Sequence, residues 1–301
     1  MKERTYAAID IGSNAVRLLI KRSDDGDEGG MPRLKKLQLL RVPLRLGFDV
    51  FDKGEVSPSK AEDLVRLMKA YKQLMKIYRT DCYRACATSA MRDARNGAEI
   101  IRRIKKETDI EIEIIPGKEE ARIVYNNHIE RGGADDGNYL YVDVGGGSTE
   151  CNLLSEGKLI ESRSFNIGTV RILTDKVKPR EQEDLHEFLE DIHRKYPEIT
   201  IIGSGGNINK LNKMAYRDEK TPGVLGVDDL ARLYHTLAPL SVKQRMERFG
   251  LRRDRADVII PAAEIFLNIA SVVGANRIIV PTVGVADGII DGLYLADSGK
   301  Q

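Results

Sequence analysis

Tyr141-Val142-Asp143-Val144-Gly145-Gly146-Gly147 is an apolar strand that ends in Asp-x-Gly and runs into a turn of small residues. The same pattern opens the chain at Ala8-Ile9-Asp10-Ile11-Gly12-Ser13-Asn14, and in both copies a second strand leaves the turn. Repetition of so specific a unit points to an internal duplication, each copy opening its own domain. Length agrees, because 301 residues exceed what one hydrophobic core usually supports. The polar stretch Arg131 to Asn138 has the composition of a linker, so the sequence predicts domains 1–130 and 131–301.

Around these units short apolar strands alternate with helices, which predicts an α/β fold. Arg33 to Leu44 reads as a strand ending near Pro43. Ser57-Pro58 caps a helix whose Leu64, Leu67, Met68, Tyr71, Leu74, Met75 and Tyr78 recur at helical spacing. Further strands are expected at Cys82–Thr88 and Glu111–Ile115, and a helix begins after Pro116-Gly117. Two more glycine turns, Gly203-Ser204-Gly205-Gly206-Asn207 and Gly284 to Gly288, each leave a strand and enter a helix. Helices are expected near 181–195, 227–237, 241–249, 256–273 and 287–295.

Composition excludes several classes. With four histidines and three cysteines in no metal-type spacing, a metal would be bound mainly by oxygen, and Cys82, Cys86 and Cys151 read as buried thiols. No apolar run has the length of a membrane helix, and Met1-Lys2-Glu3-Arg4 leads into a strand pattern, so a cytoplasmic protein with no membrane partner is expected. A net charge of +2 gives no global argument for nucleic acid. Two local clusters could form lanes for a polyanion: Arg33, Lys35, Lys36, Arg41 and Arg45, and the five arginines from Arg245 to Arg255. At plain strand spacing Arg33, Lys35 and Arg41 would share one face.

Glycine lets consecutive backbone amides point into one concavity, an anion nest, and a helix starting at the turn adds its dipole. Three such turns at strand ends, two opening with an aspartate, suit a phosphate chain carrying Mg²⁺. Asp10 and Asp143 would hold a cation or orient water, and Glu150, on the returning strand, could face the same place. Glu119 and Glu120, in the first turn of the helix after Gly117, are equal candidates for a general base on residue type alone.

Asp10 to Leu18, Ala87-Thr88-Ser89-Ala90-Met91-Arg92, Gly117-Lys118-Glu119-Glu120-Ala121-Arg122 and Asp143-Val144-Gly145-Gly146-Gly147-Ser148-Thr149-Glu150 resemble, in order and spacing, the signatures of the exopolyphosphatase/guanosine pentaphosphate phosphatase family. The resemblance extends more weakly to Gly203–Gly206 and Asp287-Gly288. It implies two similar α/β lobes of the actin, sugar kinase and heat-shock chaperone ATPase type, ribonuclease H-like, with an interlobe active-site cleft. By the same resemblance Glu120 matches the general base, and Asp143 and Glu150 the acids around the metal and reacting phosphoryl, with Asp10 as a third oxygen donor. Gly12, Ser13, Asn14, Gly145, Gly146, Gly147, Ser148 and Gly205 match phosphate-binding loops, and Arg17 and Arg92 substrate-binding arginines. The expected cofactor is Mg²⁺ or Mn²⁺, and the expected substrate polyphosphate or guanosine pentaphosphate, with a homodimer compatible with the resemblance. Asn207 and Ile290 depart from the family pattern. A kinase or ATPase of the same fold and a non-enzymatic phosphate-chain sensor are the alternatives; the acids at Glu120, Asp143 and Glu150 favour hydrolysis over both.

Overall fold

The structure, a computed structural model, describes residues 3–24, 33–129, 137–216, 223–281 and 283–299. The chain forms two compact units, Met1–Pro116 with Val285–Gln301, and Gly117–Gly284. The first runs through β1 (Thr5–Ile11), β2 (Val16–Asp24), β3 (Arg33–Val42), α1 (Leu46–Lys53), α2 (Pro58–Ile77), β4 (Cys82–Ala87), α3 (Ser89–Asp93), α4 (Gly97–Thr108) and β5 (Glu113–Ile114). The second opens with α5 (Gly117–Ile129), β6 (Asn138–Val144), β7 (Thr149–Ser155), β8 (Lys158–Phe165), α6 (Thr169–Leu173) and α7 (Pro179–Lys195). It continues with β9 (Ile199–Ser204), α8 (Gly206–Ala215), β10 (Val224–Gly226), α9 (Val227–Leu237), α10 (Val242–Phe249), α11 (Arg253–Ala256), α12 (Ile259–Val273) and β11 (Arg277–Ile279). The last helix, α13 (Val285–Ser298), belongs to the first unit.

The duplication expected from the two Asp-x-Gly strands extends through all five strands of the first sheet and five of the six of the second, β10 having no counterpart. The first has the order β3-β2-β1-β4-β5 and the second β10-β11-β9-β6-β7-β8. Strands β1, β2 and β3 pair antiparallel while β1, β4 and β5 pair parallel; β6, β7, β8 and β6, β9, β11 repeat both relations. Even the irregularities correspond, since the β2–β3 ladder slips between Ile20 and Lys21 and the β7–β8 ladder between Leu153 and Leu154. This is the two-unit α/β frame of the actin type.

Central strands covered on both faces read as continuous apolar runs, and every residue of β1 is buried. On one face of the second sheet Leu140, Val142, Val144, Cys151 and Leu153 join a core with Leu185, Phe188 and Leu189 of α7 and Phe266 and Ile269 of α12. Arg253–Val273 is long and apolar enough to cross a membrane, and burial in this core accounts for its composition. The period of two sends Tyr141 and Asp143 to the opposite face, where α5 packs on β6, β7 and β8. In the first unit α13 packs on β1, β2 and β4.

Two sequence expectations change. The units divide at Pro116/Gly117 because Ala121, Ile123 and Val124 of α5 are buried in the second unit; residues 131–136 of the polar stretch lie outside the described residues. The basic strand β3 is also not one face. Ile20 pairs with Gln38 and Lys21 with Lys36, so Leu37 is bulged and alternation reverses across it, leaving Arg41 on the face of Lys36 and opposite to Lys35. The side chain of Arg33 lies outside the described residues.

Lys21, 3% exposed, holds α13 to β2: its Nζ lies 2.7 Å from Asp287 Oδ1 and 3.8 Å from Asp291 Oδ1. Ile290, next to Asp291 on α13, is fully buried. Removing one partner of a buried ion pair costs more than the pair itself contributes. Lys21→Met should therefore destabilise the protein by about 3 kcal/mol, measured by urea unfolding, with a lowered midpoint.

Candidate functional site

Strand register builds the centre of the second unit. Asp143, at the end of β6, pairs with Glu150 of β7 and Ser204 of β9, and Glu150 pairs in turn with Ser164 of β8. Ser204, Asp143, Glu150 and Ser164 thus form one row across four strands, on the face that α5 covers. Asp143 is 8% exposed and Glu150 1%. Ser164 Oγ donates to Glu150 Oε1 at 2.9 Å.

Helix α5 is fixed to this face at two points. A Cβ on Gly117 would lie 2.4 Å from Ser164 Oγ, so only glycine lets the helix start there. Further along, Asn152 of β7 donates its side-chain amide to the Ala121 carbonyl at 3.2 Å. The two glutamates then part company. Glu120 is 7% exposed, beside the fully buried Ala121. Glu119 accepts from Arg122 Nε at 3.0 Å, one turn along the outer side of the helix, where Arg122 is exposed. Glu120 is thus buried on the helix that covers the face of Asp143 and Glu150, in the same unit, although the polar stretch in the sequence would have separated it from the other two.

The Gly145–Ser148 turn closes with Gly145 N–H donating to the Ser148 carbonyl at 3.0 Å. Its remaining carbonyls are taken by α6. Gly145 O accepts from Thr169 N, Gly146 O from Val170 N and Arg171 N, and Gly147 O from Arg171 Nε. In a planar trans peptide C=O and N–H point opposite ways, so the amides of Gly146, Gly147 and Ser148 are directed away from α6, side by side. That is an anion nest. Gly168 makes the brace possible, since a Cβ there would stand 2.5 Å from backbone atoms of Gly146 and Gly147.

Gly205, which Asp143 also touches, has φ of 101°, and a Cβ there would lie 2.9 Å from Asp143 Oδ1. It leads into α8, whose first turn carries no acid and is met by Arg255, donating from Nη1 to Asn207 Oδ1 at 2.8 Å. Asn207 thus has a partner within this unit. The sequence marked Arg255 only as part of a basic cluster; the contact that distinguishes it spans the fold. Arg245 of the same cluster donates to the carbonyls of Leu237, Ala238 and Ala256 and serves the packing of the helices.

The first unit repeats the frame with different charges. Gly12 N–H donates to Ala15 O at 3.1 Å, Gly47 N–H to Ser13 O at 2.8 Å and Arg45 N–H to Asn14 O at 3.0 Å, so the Asn14 and Ala15 amides are directed away from α1. Ser13 Oγ bonds Ser89 Oγ at 2.8 Å, at the start of the helix carrying Arg92, whose Nη1 donates to Ile115 O. Asp10 occupies the position of Asp143 and is 2% exposed, but the residue opposite it is Arg17, with which it forms an ion pair. Arg41 stands opposite Arg17 on β3. Gly12, Ser13 and Asn14 of the first unit and Gly145 to Ser148 of the second thus lie on turns braced within their own unit, while Gly205 leads into α8.

Among the described residues no three His, Cys, Asp or Glu side chains converge as a metal cluster. The cysteines form no disulfide, and burial, helped by the neighbouring Glu150 charge, pushes the Cys151 thiol far up, so it stays protonated. The donor set that could hold a cation is the pair Asp143 and Glu150. Like charges directly opposite on neighbouring strands repel, and a hard divalent cation, which takes one or two carboxylates with waters and phosphate oxygens, matches such a pair. Asp10 differs because Arg17 balances its charge.

Comparison with known proteins follows the same lines. The model of the Ppx/GppA phosphatase family matches residues 19–296. Exopolyphosphatase 1 of Mycobacterium tuberculosis is 24% identical over 273 residues, covering 85% of this chain and 78% of that protein. The guanosine-5'-triphosphate,3'-diphosphate pyrophosphatase of Aeromonas hydrophila is 26% identical and covers 96% of this chain and 59% of its own length. Among solved structures, the Ppx/GppA family member of Aquifex aeolicus superposes with a TM-score of 0.78 at 28% identity, covering 98% of this chain and 99% of that one.

Gly168→Ala tests the brace. The added methyl must displace the Gly146–Gly147 backbone, and misplacement of a binding group by about 1 Å can cost roughly 10²-fold in rate. Phosphate-release activity should fall at least about tenfold, with the circular dichroism of the folded protein retained.

Proposed function

The chain belongs to the Ppx/GppA phosphatase family, hydrolases of phosphoanhydride bonds, and from that premise we propose that it removes the terminal phosphoryl group of polyphosphate or of guanosine pentaphosphate by metal-assisted attack of water. The observation that supports this reading is the burial of Glu120 on α5, the helix that packs on the strands holding Asp143 and Glu150. A reaction that transfers phosphate to water asks for a proton acceptor near the attacking oxygen and for neutralisation of the phosphate oxygens.

Glu120 supplies the acceptor: its carboxylate takes the proton of the attacking water, while Glu119 is engaged with Arg122 and stabilises the helix start. The amides of Gly146, Gly147 and Ser148 donate to the oxygens of the phosphoryl group and gain strength as charge develops there. Asp143 and Glu150 would hold Mg²⁺ or Mn²⁺, which would neutralise phosphate oxygen charge. Ser164 keeps Glu150 in place through its hydrogen bond to Oε1. In the first unit the turn at Gly12–Asn14, Arg17 and Arg92 are donors of the kind that grips phosphate oxygens, and guanidinium does so with two parallel bonds.

Glu120→Gln keeps the shape of the base and removes its proton affinity, so kcat should fall by roughly 10²- to 10⁴-fold with KM little changed. Glu119→Gln should stay within about threefold of the wild type, and equal losses from the two would defeat the assignment. The measurement is phosphate release from polyphosphate and guanosine pentaphosphate in parallel. Excess chelator should abolish turnover and added Mg²⁺ restore it; full activity in chelator would show that Asp143 and Glu150 act without a cation.

A further inference from the structure

The brace on the first unit's turn contains a residue in an unfavourable conformation. Arg45, immediately before α1, has φ of 55° and ψ of 42°, in the left-handed region where a side chain crowds the backbone. No side chain caps α1. Yet the conformation has a use. With Arg45 turned this way, its N–H meets the Asn14 carbonyl, and two residues later Gly47 meets Ser13, its N–H 2.8 Å from the Ser13 carbonyl and its missing Cβ leaving only 2.9 Å to Ser13 Cβ. Those two bonds set the direction of the Asn14 and Ala15 amides.

The Arg45 carbonyl accepts from the Phe48 N–H at 3.2 Å, in the first turn of α1, and from Lys60 Nζ at 2.8 Å. The ammonium is fixed in turn by Asp49 Oδ1 at 2.6 Å, and Asp49 Oδ2 accepts from the backbone N–H of Ser57, at the start of α2. Burial works to raise the Asp49 carboxyl, and the bonds from Lys60 and Ser57 outweigh it and hold it below its ordinary range. The guanidinium of Arg45 is held as well, with Cζ 3.9 Å from the centre of the Phe48 ring. Backbone and side chain of Arg45 are therefore both fixed at the turn.

We propose that Lys60, which no motif marks, is a positioning residue for the first unit's phosphate-binding turn: by taking the carbonyl of Arg45 it holds that residue left-handed, and through it fixes the amides that receive an oxyanion of the substrate's phosphate chain. The proposal rests on the reading above that this turn binds phosphate. Rotation of Arg45 to the common right-handed region would turn its carbonyl away from Lys60 and its amide away from Asn14. Lys60 acts on binding and lies outside the proton transfer, so its loss falls on ground and transition states alike.

Glycine provides the test because it takes the left-handed conformation without help. The affinity for inorganic tripolyphosphate by calorimetry, steady-state hydrolysis of polyphosphate and the melting temperature are measured for the wild type, Lys60→Met, Lys60→Arg, Arg45→Gly and the double variant Arg45→Gly/Lys60→Met. Lys60→Met is expected to raise Kd and KM about fivefold while kcat stays within about twofold, and Lys60→Arg, which can reach both oxygens, to restore them. In the Arg45→Gly background, whatever affinity that variant has by itself, the further change Lys60→Met should alter Kd by less than about 1.5-fold, since the strain it relieved is gone. The same fivefold factor in both backgrounds, or a lowered melting temperature with Kd unchanged, would overturn the proposal. Should Lys60→Met fail to fold, Lys60→Arg and the double variant still carry the comparison. Tripolyphosphate binding without hydrolysis by the wild type would sink the function reading and leave the Kd pattern as the test of Lys60; hydrolysis without the pattern would sink Lys60 alone.

Discussion

Everything in the second unit is organised around two carboxylates that stand directly opposite each other on neighbouring strands. Asp143 and Glu150 are buried, and the ladder between β6 and β7 gives them no freedom to part. Such a pair is unfavourable unless something positive or proton-donating answers it. The surroundings are arranged as answers. Ser164 gives one hydroxyl to Glu150, α5 begins against Ser164 at a position only glycine can occupy, and the nest of amides at Gly146–Ser148 lies at the end of the same strand pair. A fold that needed only stability would place apolar residues there, as it does one residue away at Val142, Val144 and Cys151.

The duplicated frame makes a comparison within one molecule. Both units end their central strand in a buried aspartate, close the turn with the same glycine-to-strand hydrogen bond and brace it with the following helix. They differ at the next strand, where one unit has arginine and the other glutamate. Arg17, its side chain half-buried, neutralises Asp10, and Arg41 stands opposite it on β3. One layout is thus charged in opposite senses at this position, a guanidinium facing Asp10 in the first unit and a carboxylate facing Asp143 in the second.

The sequence made the frame legible where local chemistry and global fold agree. Ser57-Pro58 marks the start of α2, the helical spacing of 227–237 coincides with α9, and the two Asp-x-Gly strands reveal the repeat. Other features exist only through partners distant in the chain. Strand β8 has a polar sequence because it is an outer strand with a bulge, and nothing local shows that its Ser164 supports Glu150. The bulge at Leu37 follows from pairing with β2, so spacing alone assigned the basic side chains of β3 to the wrong faces. Glu119 and Glu120 are equivalent as letters in the sequence; the packing of α5 against the sheet separates them.

The path of the chain through the two units has a consequence for biosynthesis. The second unit is one unbroken segment, Gly117–Gly284, whereas the first is assembled from both sides of it and needs α13. During translation, at the usual ~5–20 residues per second, the second unit can close as soon as its own segment has left the ribosome. The first waits longer. Until Val285–Ser298 arrives, the face of β1 and β2 is uncovered and the ammonium of Lys21 lacks Asp287 and Asp291. Domains usually fold in the order of synthesis, N-terminal first, and here connectivity reverses that order: the unit made earliest is the last to be finished, and its five-stranded sheet, whole once β5 is made, waits with one face uncovered for α13.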